Sequence, residues 1–195
     1  MSASVDEHSV KDYEKTVFGF WIYLLTDFVL FSVILATYFV LRNSTHGGPG
    51  AADLLPLGFT FWQAVVLLTG SLTAGLFENM AFRKNKGGTL LFLGVTFILG
   101  LLFLGMQLSS MGALIARGAT WQASAFLSAY YTLLGTHALH IVIALLWTLV
   151  LTPLVFRFGL VPKSIQRFTC LRLFWQFLGV MWVAIFTIVY LLGVN

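Results

Sequence analysis

The sequence predicts an all-α, polytopic membrane protein with five transmembrane helices, and two observations carry that prediction. First, 59% of the 195 residues are apolar and only 9% are charged, whereas soluble domains carry about a quarter charged residues. Second, the apolar residues are gathered into five long runs. With a mean hydropathy of +0.93, the chain has too few charges to cover a water-facing surface, which excludes an ordinary soluble domain.

Each run is long enough to cross a bilayer, because about 20 apolar residues in a helix span its hydrocarbon core. The runs cover residues 17–41, 58–82, 89–116, 121–156 and 173–195. They are continuously apolar, which favours helices over the alternating strands of a β-barrel. The fourth run is longer than a bilayer needs, and Pro153 is expected to fray or kink its end. Residues 1–16 are predicted to form a polar cytoplasmic tail, and residues 17–195 a single five-helix bundle.

The distribution of lysine and arginine predicts the orientation of this bundle. Nine of the eleven lie on one side of the predicted membrane, in the tail and in the connections at residues 83–88 and 157–172. Arg42 and Arg117 lie on the other side. Because cytoplasmic loops carry an excess of basic residues, the N-terminus is predicted in the cytoplasm and the C-terminus outside. The same placement accounts for the net charge of +4 without a nucleic-acid partner.

Asp27 is the strongest candidate for a functional residue. It interrupts the first run about 15 Å from the cytoplasmic end of the helix. A charged carboxylate at that depth is costly, so it must face protein, find a partner or stay protonated. Two interpretations stay open. The carboxyl group either carries a proton or gates a pathway, or it is neutral and hydrogen-bonds a neighbouring helix.

His137 and His140 lie on one face of the fourth helix. Haem or copper ligation would need further ligands, and the single Cys170 excludes a multi-cysteine metal site. Interhelical hydrogen bonding is therefore favoured, and no metal site is predicted. Helix depth places His140 at about 18 Å and His137 at about 22 Å from the cytoplasmic side, so His140 is the better partner for Asp27. We expect this pair to share a proton, with Tyr23 as the local alternative.

The remaining polar and small residues predict contacts rather than chemistry. Glu78, near the end of the second run, is expected to reach the interface or to pair with Arg83 or Lys84. Aromatic residues near helix ends suit the membrane interface, and small residues four apart suit close packing. The candidates for lipid or subunit contact are Trp21, Trp62, Gly70, Ala74 and Gly75. No catalytic motif is apparent in the sequence, which leaves a transporter, a membrane enzyme and an accessory subunit open.

Three stretches carry a more specific signal. They read FGFWIYLLTDFVLFS at residues 18–32, GTHALHIV at residues 135–142 and FWQFLGVMW at residues 174–182. In combination they resemble the subunit III family of haem–copper terminal oxidases, and the resemblance extends over nearly the whole chain from Val17 onward. The five-helix form of the cytochrome o ubiquinol oxidases is more similar than the longer, seven-helix form of the cytochrome c oxidases.

The resemblance implies a non-catalytic subunit of a proton-pumping ubiquinol oxidase in the respiratory chain of the bacterial inner membrane. Such a subunit packs on and stabilises subunit I, which holds haem and copper. Its other expected partners are subunits II and IV and bound phospholipid, and no cofactor is expected in this chain. Asp27 occupies the position of the family's membrane-embedded acidic residue.

This chain departs from the family pattern at Gln107, Gln176 and Gly179, where relatives commonly carry ionisable residues. The loss of these groups weakens a proton-relay role and leaves a packing role intact. The two glutamines are predicted to lie at different depths and therefore not to bond each other. Two alternative functions stay open: subunit III of a cytochrome c oxidase, and an independent proton-coupled carrier that uses Asp27.

Overall fold

The computed structural model describes residues 2–45 and 57–191, with the backbone alone for residues 2–12. Within these residues it contains five helices, each with an apolar segment long enough to cross a membrane. The prediction of an all-helical protein with five such segments is confirmed. The helices are α1 (Ser2–Leu41), α2 (Leu57–Phe82), α3 (Lys86–Ala116), α4 (Ala125–Phe158) and α5 (Pro162–Ile185), which is followed by a π-helical turn at Phe186–Leu191.

The first and last helices begin earlier than the apolar runs predicted. The helix of the first span extends back through the polar residues to Ser2. α5 begins at Pro162, eleven residues before the predicted start, so the prediction of a connection over residues 157–172 is wrong for most of that range. A proline suits the first turn of a helix, where its missing N–H has no intrahelical partner. The basic residues that follow Pro162, which are Lys163, Arg167 and Arg172, therefore lie on α5 and not in a loop.

The fourth helix continues through Pro153 and does not fray there. It ends at Phe158, and the capping Gly159 adopts a positive φ of 71°. Glycine is favoured in this region because it has no Cβ to clash with the backbone. The start of α4 is capped by Ser124, whose side chain accepts a hydrogen bond from the backbone N–H of Leu127 at 3.1 Å. The boundaries of α4 are therefore set by local capping chemistry.

α5 lies at the centre of the bundle. It packs against α1, α2 and α4, and α3 completes the bundle between α2 and α4. In the last span, 56% of its most apolar 18-residue segment is buried inside the protein, against 22% of the corresponding segment in the first span. α5 therefore faces protein on most sides, whereas α1 turns most of its surface outward. The fully buried side chains of α5 include Trp175 and Trp182.

Two glycines allow helices to approach closely. A Cβ atom on Gly100 of α3 would lie 2.5 Å from the ring of Trp175. A Cβ atom on Gly179 of α5 would lie 2.6 Å from the hydroxyl of Ser71 on α2. Real Cβ atoms do not approach other atoms so closely, so a side chain at either position would force its neighbours to move. These two positions hold α5 against α2 and α3.

The residues predicted to contact lipid or another subunit divide between surface and interior. Trp21 and Trp62 are exposed, so they stay candidates for such contacts. Gly70 and Ala74 are buried inside the bundle and pack within the chain, which corrects the prediction for these two residues. Their small size lets neighbouring helices cover that face of α2. Gly75 is half-buried.

Candidate functional site

Asp27 and His140 face each other between α1 and α4. Asp27 Oδ2 lies 3.7 Å from His140 Nε2, a distance that suits a charge pair and exceeds a direct hydrogen bond of about 3 Å. The other ring nitrogen, Nδ1, donates to the carbonyl of Thr136 at 2.8 Å. Asp27 is 9% exposed and His140 8%. The structure therefore brings together Asp27 and His140, which were predicted to pair because they lie at similar depths in their helices.

The geometry allows this pair to hold one proton in two ways. With a proton on Nδ1, a neutral His140 turns the lone pair of Nε2 toward Asp27, so a protonated carboxyl group can donate to it. Alternatively, the ring carries both protons and the carboxyl group is ionised. Both arrangements have no net charge, which avoids an unpaired charge inside the membrane. Tyr23, one turn before Asp27, also interacts with the carboxyl group through its hydroxyl.

His137 is enclosed by aromatic side chains. The ring is fully buried, and its centroid lies 6.2 Å from that of Phe31, 5.6 Å from that of Phe103 and 5.1 Å from that of Trp182. Its Nε2 donates to the carbonyl of Leu178 on α5 at 3.2 Å. The histidine thus joins α4 to α5 by a hydrogen bond, which is the interhelical role favoured by the sequence.

The two histidines do not fit a haem or copper site. Each ring uses one nitrogen to donate to a backbone carbonyl, and the open nitrogen of His140 faces Asp27. Among the side chains that the structure describes, those of residues 13–45 and 57–191, no three histidine, cysteine, aspartate or glutamate residues are grouped as a metal site would require. Cys170 is free and buried.

Glu78 pairs with Arg172 on α5 and not with Arg83 or Lys84. Its Oε2 lies 2.5 Å from the Nε of Arg172, and the Nη1 of the same arginine donates to the Gln176 side chain at 2.8 Å. The prediction of a partner in the following connection is wrong because the Glu78 side chain is buried inside the bundle. Arg172 lies within α5 and not in the predicted connection before it, and there it reaches Glu78.

The two glutamines at altered family positions have separate partners. Gln107 Nε2 donates to the carbonyl of Leu134 on α4 at 2.8 Å, whereas Gln176 accepts from Arg172 on its own helix. Each amide therefore bonds a different part of the bundle, in agreement with their predicted difference in depth. The Gln107 bond joins α3 to α4.

A cluster of tyrosines near the C-terminal end of α1 was not found from the sequence. The hydroxyls of Tyr130 and Tyr190 lie 3.0 Å apart, and Tyr190 also bonds the Thr60 side chain. The hydroxyl of Tyr38 is buried close to them. These residues come from α1, α2, α4 and the π-helical turn. All four residues lie at a similar depth near the ends of four apolar runs, and this shared depth could have predicted the cluster.

Comparison with known proteins identifies the family. The sequence profile described as cytochrome c oxidase subunit III matches residues 2–194. The chain belongs to this family. It is subunit III of a haem–copper terminal oxidase, and the other subunits of that complex are its partners. The resemblance seen in the three sequence stretches is thereby confirmed, and an independent carrier is excluded.

Individual relatives cover most of both chains. The chain is 44% identical over 187 residues to the cytochrome bo(3) ubiquinol oxidase subunit 3 of Pseudomonas aeruginosa, covering 96% of this chain and 90% of the relative. It is 42% identical to the protein of the same description from Pseudomonas putida, covering 93% and 87%. It is 36% identical to the cytochrome c oxidase subunit 3 of Bacillus sp. strain PS3, covering 98% and 92%.

Proposed function

We propose that the chain is subunit III of a proton-pumping ubiquinol oxidase of the cytochrome o type in a bacterial inner membrane. The observation that carries this proposal is the higher identity to the two Pseudomonas ubiquinol oxidase subunits, at 44% and 42%, than to the Bacillus cytochrome c oxidase subunit, at 36%. The electron donor is the one feature that separates this proposal from its alternative, a cytochrome c oxidase subunit.

The role proposed for the chain within the complex is to pack on and stabilise subunit I. Redox chemistry belongs to the haem and copper of subunit I in this proposal, and this chain has no catalytic centre of its own. Support for this role comes from the buried polar side chains, which bond within the chain. His137, Gln107 and Glu78 each bond another helix of the same chain, which suits a preorganised bundle with a fixed outer surface.

The proposed orientation has the N-terminus in the cytoplasm and the C-terminus outside. Residues 1–16 then lie on the cytoplasmic side, as does the short connection that contains Arg83 and Lys84. Lys163 and Arg167 lie near the start of α5, on the same side. The nine-to-two division of basic residues supports this orientation.

A phospholipid binding site on the cytoplasmic side is part of the proposal. A cavity of about 460 Å³ lies between α1, α4 and α5, and Lys163 and Arg167 line it together with Phe20 and Trp147. Two cations beside an aromatic wall suit an anionic headgroup above an acyl chain. Subunits II and IV remain expected partners.

Purification of the tagged chain in mild detergent tests the proposal. We expect haem-containing subunit I to co-purify, with a visible haem spectrum and oxygen consumption driven by ubiquinol and not by reduced cytochrome c. Membranes from a strain without the tag provide the control. Turnover with cytochrome c alone would assign the chain to the alternative oxidase, and a colourless oligomer of this chain alone would contradict the subunit role.

A further inference from the structure

Three buried polar atoms in the middle of the bundle have no hydrogen-bond partner among the residues that the structure describes. They are Nδ1 of His137, Oε1 of Gln107 and Nε1 of Trp182. Their side chains are fully buried and come from α4, α3 and α5. Buried polar groups are almost always bonded to protein or to ordered water, so three unpartnered atoms in one region need an explanation.

The donor or acceptor character of each atom is fixed by bonds elsewhere on the same side chain. His137 Nε2 donates to the carbonyl of Leu178, so Nδ1 of the neutral ring is an acceptor. Gln107 Nε2 donates to the carbonyl of Leu134, which orients the amide and leaves Oε1 as an acceptor. Trp182 Nε1 can only donate. The set therefore consists of two acceptors and one donor.

The three side chains surround the same region. The rings of His137 and Trp182 have centroids 5.1 Å apart. Phe103, one turn before Gln107 on α3, packs edge-on against both rings, with centroids at 5.6 Å and 4.8 Å. Gln107 is held at the level of the imidazole, because Leu134 lies less than one turn from His137 on α4 and its carbonyl points along the helix toward that level.

We propose that one ordered water molecule is bound between His137, Gln107 and Trp182. A water molecule donates two hydrogen bonds and accepts others, so it matches two acceptors and one donor, and buried waters typically make about three hydrogen bonds. A metal cation does not suit the set because the indole N–H cannot coordinate it. An anion does not suit the set because the two acceptors would repel it. The water ties α3, α4 and α5 together at mid-bundle.

A structure of the complete oxidase complex tests this proposal. We suggest electron cryo-microscopy of the complex in lipid nanodiscs, at a resolution at which ordered waters in the other subunits are visible. The expected result is a density peak within about 3.2 Å of all three atoms. The test concerns the wild-type complex and holds for either electron donor, so its failure and failure of the proposed function are distinguishable.

Matched variants sharpen the test. Gln107→Met removes one acceptor at similar volume, and Trp182→Phe removes the donor; both should lose the peak. Gln176→Met is the control, because its amide bonds Arg172, and the peak should persist. The proposal is overturned by a wild-type map that shows other buried waters and none here, or by a direct bond from Trp182 to His137. The wild-type map decides the question even if a variant fails to assemble.

Discussion

At the scale of single residues, the pairing of Asp27 with His140 determines how a carboxyl group is tolerated inside the bundle. The Thr136 carbonyl accepts from Nδ1 of the ring and thereby fixes Nε2 toward Asp27, 3.7 Å from its Oδ2. We expect one proton to be shared across this gap, because the pair then has no net charge inside the membrane.

Substitution of His140 should lower the free energy of unfolding more than substitution of Asp27. In His140→Leu the buried carboxyl group loses its imidazole partner, which should cost about 1–3 kcal/mol of unfolding free energy. Asp27→Asn should cost less than about 1 kcal/mol, because the amide can donate to the same Nε2 lone pair. SDS titration of the purified complex measures both. Thr37→Val, an exposed hydroxyl bonded within its own helix, is the control, and an equal loss in Asp27→Asn and His140→Leu would contradict the neutral pairing.

The sequence predicted the side-chain partner correctly for a residue deep inside a helix and wrongly for a residue near a helix end. Asp27 and His140 both lie well inside continuous runs, so counting residues gives their levels correctly. Glu78 lies near a run end, and the nearest basic residues along the chain are Arg83 and Lys84. The true partner, Arg172, is distant along the chain and belongs to a charged stretch that was predicted to be a connection.

At the scale of helices, α5 organises the bundle because it packs against α1, α2 and α4 and also touches α3 through the rings of Trp175 and Trp182. Its N-terminal part carries Lys163, Arg167 and Arg172, and a hydropathy pattern cannot distinguish a charged helix extension from a connection. Neither can it show that Gly100 and Gly179 are the positions where helices touch. Spacing had favoured Gly70 and Gly75 instead, but a Cβ atom at Gly70 would make only an ordinary contact of 3.7 Å.

A double substitution tests the contact between α2 and α5. Gly179→Ala should destabilise the protein by about 1–3 kcal/mol, because its Cβ would displace the Ser71 hydroxyl from the carbonyl of Trp175, to which it donates at 3.0 Å. Adding Ser71→Ala removes the obstructing oxygen and should recover part of the loss. Gly94→Ala on α3, with open space around the new Cβ, should be neutral or stabilising. Additive losses in the double variant would show that the contact is not the cause.

At the scale of the whole molecule, the polar groups of the interior follow one another along α5. The Glu78–Arg172 pair lies near the start of the bundle, the His137–Leu178 bond lies farther along, and the Tyr130–Tyr190 bond closes the far end. The first joins α5 to α2, the second joins α5 to α4, and the third joins the π-helical turn after α5 to α4. The interior is therefore held by specific bonds, while the exterior is left apolar for lipid and partner subunits.

Accessibility labelling tests the orientation of this arrangement. Two exposed residues at opposite ends of α3 are suitable for labelling. Arg83 lies between α2 and α3, and Ala123 lies between α3 and α4. In a Cys170→Ala background, Ala123→Cys should react with an impermeant maleimide in intact spheroplasts, whereas Arg83→Cys should react only after lysis. The opposite pattern would invert the topology, and reaction of both before lysis would contradict a span between them.

Dependence on subunit I is the last expectation for the whole molecule. Only 22% of the most apolar 18-residue segment of the first span is buried within the chain, so the outward face of α1 is free to pack on a partner. A partner that binds only the folded chain stabilises it by mass action, by about 2.7 kcal/mol at a concentration 100 times the dissociation constant. The chain produced without subunit I should therefore unfold at lower SDS fractions than the chain in the complex. Because Asp27–His140 and Glu78–Arg172 are internal to this chain, they are present in both samples, and the difference reports the partner alone. Equal resistance in the two samples would contradict a stabilising contact with subunit I.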